Sequence, residues 1–210
     1  ALIATALNAV YGLLMAWVLT RYDFPGKRIL DALMDVPFAL PTAVAGLSLT
    51  ALFSANGWFG QVLEPLGISV PYTLLGVAIA MSFTSIPFVV RTVQPVLEDL
   101  DPAYEQAART LGASEFTIFR RVVFPQILPA YLAGCTIALA RSLGEFGAIV
   151  FIAGNLPFKT EIAALLAYIR LEEYDYQGAA AIALVLLFFA LILLLVSNRL
   201  QAWALRYKER

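Results

Sequence analysis

Gly178-Ala-Ala-Ala-Ile-Ala-Leu-Val-Leu-Leu-Phe-Phe-Ala-Leu-Ile-Leu-Leu-Leu-Val196 contains no charged or amide side chain. A helical run of this kind approaches the ~20 residues needed to cross a hydrocarbon core of ~30 Å. Four more apolar stretches lie at Ala1–Thr20, Val36–Ala55, Tyr72–Val93 and Tyr131–Ala153. One core helix of a water-soluble protein can be this apolar. Five such blocks in 210 residues leave too little polar surface to face water. Composition agrees, at 61% hydrophobic and 14% charged, against about half apolar and a quarter charged in soluble domains. The expected fold is all-α: a polytopic integral membrane protein with five transmembrane helices, forming a single domain over residues 1–210.

Residue types exclude several chemistries. The chain has no histidine and one cysteine, Cys135, inside an apolar block. An intrachain disulfide is therefore impossible, and zinc or haem ligation and histidine-assisted nucleophilic catalysis lack their groups. No catalytic residue, metal or bound cofactor is expected. The first residue is Ala1, within an apolar run that has no basic segment before it, so a cleaved signal peptide is not expected. A preceding segment is.

Charge sets the orientation. Taking alternate connections as one side, Arg21, Lys27, Arg28, Arg91, Arg109, Arg120, Arg121, Arg199, Arg206, Lys208 and Arg210 fall together, and only Lys159 and Arg170 fall opposite. Basic connections stay cytoplasmic. The Gln94–Ala130 connection and the C-terminus are expected inside, in a multi-pass membrane protein. Opposite loops carry turn formers (Asn56-Gly57, Gly60, Pro65-Leu66-Gly67) and acids (Glu161, Glu172, Glu173, Asp175). Within them Ile162, Leu165, Leu166 and Ile169 have helical spacing, predicting a short helix over Thr160–Leu171.

Prolines interrupt the spans at Pro37, Pro41 and Pro87, and each predicts a kink. Ser82, Thr84 and Ser85 precede Pro87. Hydroxyls at membrane depth either line a polar path or bond one helix to another.

The most informative connection is Asp101-Pro-Ala-Tyr-Glu-Gln-Ala-Ala-Arg-Thr-Leu-Gly112-Ala-Ser-Glu-Phe-Thr-Ile-Phe-Arg-Arg-Val-Val-Phe-Pro125. Asp101 suits an N-cap and Pro102 the first helical position. Tyr104, Ala107, Ala108 and Leu111 make a narrow apolar stripe, and Glu105 and Arg109 stand at i,i+4 on another face. Gly112 falls where a left-handed cap is expected, and Ser114 starts a second helix ending near Pro125. Physical reasoning leaves two readings open: a docking helix for a motor subunit, or an amphipathic helix covering the membrane interface.

Gln106-Ala107-Ala108, then Arg109-Thr110-Leu111, Gly112 and finally Pro125, resembles the Glu-Ala-Ala loop of ATP-binding-cassette importer permeases with the MetI-like fold. Gln106 replaces the motif's glutamate, with Glu105 one residue earlier and about 100° around the helix. The resemblance implies that Tyr104, Glu105, Gln106, Ala107, Ala108, Arg109, Leu111, Gly112 and Pro125 couple this chain to an ATPase, through a cytoplasmic loop at about 95–130. Leu40–Gly46, Asn56–Gly60, Thr84–Pro95, Arg141–Gly147, Lys159–Glu161 and Leu171–Tyr176 are similar to the T-type permeases of sulfate and thiosulfate importers. That likeness implies inward passage of sulfate or thiosulfate, with molybdate or tungstate as the alternative cargo. It also implies two ATP-binding subunits using ATP and magnesium, a second related permease forming a heterodimer, a periplasmic sulfate-binding protein, surrounding lipid, and a sixth span upstream. No nucleic-acid partner is expected. The chain has no Gly-x-x-x-x-Gly-Lys-Ser/Thr phosphate loop, so it is not itself an ATP-hydrolysing enzyme.

Arg141 lies near the middle of the Tyr131–Ala153 run. A charge at that depth costs at least ~2.5–3.5 kcal/mol, so a partner is required, and Glu145 stands one turn on. Arg141, Ser142, Gly144 and Glu145 either hold helices together or line the translocation path at a gate. An ion-coupled secondary transporter would need acids at mid-membrane, where Glu145 stands alone. A membrane enzyme would need clustered acids or histidines at the interface, and Asp31, Asp35, Glu98, Asp99 and Asp101 are read more simply as solvated helix ends and caps.

Overall fold

A computed structural model describes residues 1–157 and 159–208, excepting the side chains of Ser197, Leu200 and 201–208. Arg210, and the side chains of Arg206 and Lys208 that contributed to the basic tail, lie outside the described residues. The described chain is helical: α1 Leu2–Arg21, α2 Lys27–Ala39, α3 Thr42–Phe53, α4 Gly60–Leu63 with a 3₁₀ turn at Glu64–Leu66, and α5 Leu74–Glu98. It continues with α6 Pro102–Thr110, α7 Glu115–Ile118, a π turn at Phe119–Val123, α8 Phe124–Leu143, α9 Gly147–Ile152, α10 Ala163–Glu172 and α11 Tyr176–Lys208.

Among the described residues four helical stretches are long and apolar enough to cross a membrane: Leu2–Arg21, Leu74–Glu98, Glu115–Leu143 and Tyr176–Val196. The α2–α3 pair makes a fifth only if its two pieces count together, because they turn by 118°. The expected continuous span over Val36–Ala55 is therefore replaced by two helices. Proline chemistry explains the break. Pro37 sits inside α2, whereas Pro41 forces Leu40 into extended backbone, φ −88° and ψ 134°, where no helix continues.

Three other expectations shift. The helix expected to end near Pro125 runs on to Leu143. Proline has no N–H and its ring collides with the carbonyl four residues back in a regular helix. The wider π turn over Phe119–Val123 accommodates it. In compensation the Tyr131–Ala153 run breaks at Gly144–Phe146, so its last part forms the separate α9. The helix expected from Thr160 starts at Ala163.

At the centre, α5 packs against α1 and α8. Their contact at the α6 end is a core of Ala16, Leu19, Val89, Val90, Val93, Leu97, Ile118, Val123, Ile127 and Ala138. α11 lies on α8 and α10 and keeps an apolar exterior, with Leu184, Phe188, Leu191 and Leu195 exposed. α2 is fastened to α5 by charge. Arg91 donates to both carboxylate oxygens of Asp35 (2.8 and 2.7 Å) and to the carboxylate and carbonyl of Asp31 (2.6 and 2.8 Å). Asp35 thus takes a planar fork-to-carboxylate contact and Asp31 a single carboxylate bond, so these acids, although partly exposed, are partners of Arg91 as well as solvated groups.

Candidate functional site

The α6 loop forms as its caps require. The Asp101 carboxylate accepts from Ala103 N (2.9 Å), and Pro102 occupies the first turn. At the other end Gly112 has φ +79°, its N–H donates to the Arg109 carbonyl (2.9 Å), and Ala113 N–H donates to the Ala108 carbonyl (3.1 Å). Those two bonds satisfy carbonyls that a helix end otherwise leaves open. The Ser114 hydroxyl accepts from Thr117 N (3.3 Å) and starts α7.

Side chains on α6 divide between inside and outside. Ala108 packs on the core, while Tyr104, Gln106, Ala107 and Leu111 are exposed, Leu111 at 88%. The i,i+4 pair expected between Glu105 and Arg109 does not form. Arg109 instead grips Glu115 with two bonds (2.9 and 3.0 Å), which pushes its guanidinium further above its ordinary range. Glu105 turns inward to Arg21 at the end of α1 (2.5 Å). Pro125 lies within the continuous Glu115–Leu143 stretch, in the first turn of α8.

The second predicted cluster assembles where two helices are interrupted. Arg141, in the last turn of α8, contacts Glu145 at 2.8 Å. Glu145 is 1% exposed, whereas the Arg141 side chain is 33% exposed. Its Oε1 accepts from Ala148 N (3.1 Å), so it steadies the start of α9 as well. Its Oε2 is close to the guanidinium but aligned for no hydrogen bond, which makes that contact ionic. Gly144 closes α8 and permits the break. Arg141 therefore sits at a helix end, not at the middle of a continuous span.

The break abuts the other interrupted pair. A Cβ on Gly147 would meet Thr42 Oγ1 at 2.2 Å, and a Cβ on Gly46 would meet the Ala148 carbonyl at 2.3 Å. Backbones of α3 and α9 thus touch through glycine. The Leu40–Gly46 and Arg141–Gly147 segments, far apart in sequence, form one structural unit.

Ser82, Thr84 and Ser85 are used between and within helices. Asn8 on α1 donates to Ser85 Oγ (2.7 Å) and to the Ser82 carbonyl (3.2 Å). Ser85 donates to the Met81 carbonyl (2.5 Å) and lies 3.0 Å from the Ser142 hydroxyl. Since the one proton of Ser85 goes to Met81, Ser142 donates to Ser85. Ser82 reaches the Ala4 carbonyl (3.4 Å), and Thr84 bonds back to Met81 (3.2 Å). Asn8, Ser85 and Ser142 are at most 1% exposed, so this node joins α1, α5 and α8. Sequence reading missed Asn8, although an amide within an otherwise apolar span is itself a signal. It also missed the partnership of Arg21 with Glu105, which gives no local signal.

The model for the binding-protein-dependent transport system inner membrane component family matches residues 9–206. The chain belongs to that family. It is therefore a multi-pass membrane permease, and the break, node and capped loop described above are features of an inner membrane transport component. It is 60% identical to the sulfate transport system permease protein CysT of Salmonella typhimurium, over 96% of this chain and 73% of that protein. It is 59% identical, with the same coverage, to the CysT protein of Escherichia coli. Among solved structures, a bacterial alginate ABC transporter in complex with an alginate pentasaccharide-bound periplasmic protein gives a TM-score of 0.73 at 17% identity, covering 94% of this chain and 74% of that one. At that identity the likeness concerns the fold.

Proposed function

We propose that this chain is the transmembrane permease subunit of an ATP-driven importer that carries sulfate inward across the bacterial inner membrane. The observation that carries the reading is the α6 loop. A helix of 9 residues, fixed by caps at both ends, presents Tyr104, Gln106, Ala107 and Leu111 outward from rigid apolar helices. Such an element transmits a push, and the paired alanines allow another surface to approach closely. Gln106, being exposed, is the side chain available for a polar contact with the ATPase.

Sulfate is the preferred cargo because relatives matched across 96% of the chain are named for sulfate transport, so molybdate or tungstate is not favoured. The chain forms one permease domain. It pairs with a second, related permease, two ATP-binding subunits and a periplasmic sulfate-binding protein, and the apolar exterior of α11 meets lipid. ATP and its magnesium are used by the ATPase, and this chain holds no cofactor. The α6 loop and the C-terminus face the cytoplasm, following the basic residues. Closure of the motor pair pushes α6 and rocks the spans between outward- and inward-open states.

For the path, the geometry favours Arg141, the side chain of its cluster with a third of its surface free. Ser82, Thr84, Ser85 and Ser142 flank that path and hold its helices, since their hydroxyls are engaged. Radiolabelled sulfate uptake into proteoliposomes containing the complete complex is expected to require ATP and to resist excess molybdate. Uptake driven by a proton or sodium gradient without ATP, or equal competition by molybdate, would overturn the reading.

A further inference from the structure

Two polar contacts of α1 lie outside the roles given so far. At its loop end, Arg21 meets Glu105 of α6 at 2.5 Å, and the two side chains are only 23% and 13% exposed. The Arg21 guanidinium also sits over the Trp17 ring, 5.3 Å from its centroid. Trp17 in turn packs edge-to-face on Phe119 of the π turn, with centroids 5.1 Å apart. Glu105 is thus held by a charge whose position is fixed by aromatic packing. Further along the same helix, Asn8 joins the buried Ser85–Ser142 node, and Ser142 adjoins Arg141. Thirteen residues of helix separate Asn8 from Arg21, about 20 Å at 1.5 Å per residue.

We infer that Glu105 is a positioning residue and not an ATPase contact. It latches α6 to α1, and α1 is the rod through which movement of α6 reaches the buried end of α8 beside Arg141. The inference rests on the function proposed above and deepens it. A charge-assisted arginine–carboxylate bond this shielded from water is directional, and it ties α6 to the end of α1 more firmly than a neutral contact would. A push on α6 then displaces α1 along its axis. Asn8 carries that displacement to Ser85 and Ser142, at the point where α8 ends and the break begins. The carboxylate that stands one residue away from the motif's glutamate position is thereby explained by an internal partner.

The test uses the complete transporter reconstituted with its ATPase, measuring sulfate taken up per ATP hydrolysed and recovery of the ATPase on co-purification. Arg21→Gln and Glu105→Gln are each expected to lower uptake per ATP about tenfold, within the usual range of site-to-site couplings, while the ATPase is still recovered. The double variant is expected to cost no more than either single one, since both remove the same contact. Arg21→Lys, which keeps the charge, is expected to retain most of the coupling. Loss of the ATPase from the Glu105→Gln complex would make the carboxylate a docking contact and overturn the inference. Additive losses, or unchanged uptake per ATP in the singles, would overturn it equally. Failure of the unaltered complex to show ATP-driven uptake would instead remove the underlying function, and the inference with it.

Discussion

Replacing Gly112 by valine isolates the contribution of one backbone conformation to coupling. Gly112 has φ +79°, and a Cβ built on it would meet nothing within 4 Å. The cost of a side chain there is therefore all backbone, with no clash to relax. An ordinary L-residue in the left-handed region costs roughly 1–2 kcal/mol, and a β-branched one stands at or above the upper figure. If the chain escapes this strain by abandoning the turn, it loses the bonds from Gly112 N to Arg109 O and from Ala113 N to Ala108 O. Each is worth about 0.5–1.5 kcal/mol, so neither route is cheap. About 2 kcal/mol corresponds to roughly a 30-fold change in the population of the correctly ended helix, since each 1.4 kcal/mol is tenfold. ATP-driven sulfate uptake in proteoliposomes is therefore expected to fall at least about tenfold in Gly112→Val. Gly112→Ala should be intermediate, and Gly112→Asn, which tolerates positive φ, close to the unaltered protein. Unimpaired uptake by the valine variant would refute the argument. So would an asparagine variant as poor as valine, because bare backbone against a partner, not φ, would then be what the site needs.

Other substitutions test the interior. Gly46→Val drives a side chain into the Ala148 carbonyl, which cannot rotate away, so loss of folded protein in detergent is expected; a normal yield and melting temperature would contradict the contact. Ser85→Ala removes the hydroxyl shared by Asn8 and Ser142, and the thermal stability of the purified complex should drop by about 0.6–1.7 kcal/mol while its apparent affinity for sulfate stays unchanged. A changed affinity with unchanged stability would place Ser85 in the path. Arg141→Leu leaves the buried Glu145 with only the Ala148 amide, a loss of about 3–5 kcal/mol, whereas Glu145→Gln keeps that amide bond and leaves a guanidinium that can reach water. Equal destabilisation of the two variants in thermal unfolding would refute this asymmetry.

The parts that could be read from sequence were governed by local chemistry. Asp101, Pro102, Gly112 and Ser114 act within a few residues of where they stand, and each does what its position predicts. Length and apolarity located α1, α5 and α11 for the same reason. The failures involve competition between local and distant terms. Pro41 ends a helix outright while Pro37 and Pro87 are absorbed, and nothing in the adjacent residues states which outcome neighbours will permit. Pro125 reads as a stop because the π turn that precedes it has no sequence signature. Glu105 has one arginine at helical spacing on its own helix. That residue, Arg109, is engaged by Glu115, and Glu105 pairs instead with Arg21, 84 residues away and invisible to local spacing.

The geometry at the α8–α9 break bears on why a conduit for a dianion would keep a carboxylate beside its arginine. Glu145 is buried and carries the Ala148 amide, so it is fixed by the start of α9. Arg141 is held by Glu145 on one side and keeps a third of its surface free on the other. On the path proposed above, an anion arriving at that free face would meet a guanidinium whose charge is already partly answered, and its binding would be correspondingly shallow. Removing the carboxylate would deepen the well and slow release. A deeper well favours capture but opposes passage, and the periplasmic protein proposed above, by binding the anion beforehand, would make capture unnecessary here. A paired arginine at a helix break, with Gly46 and Gly147 allowing α3 and α9 to touch, therefore fits a gate better than a store.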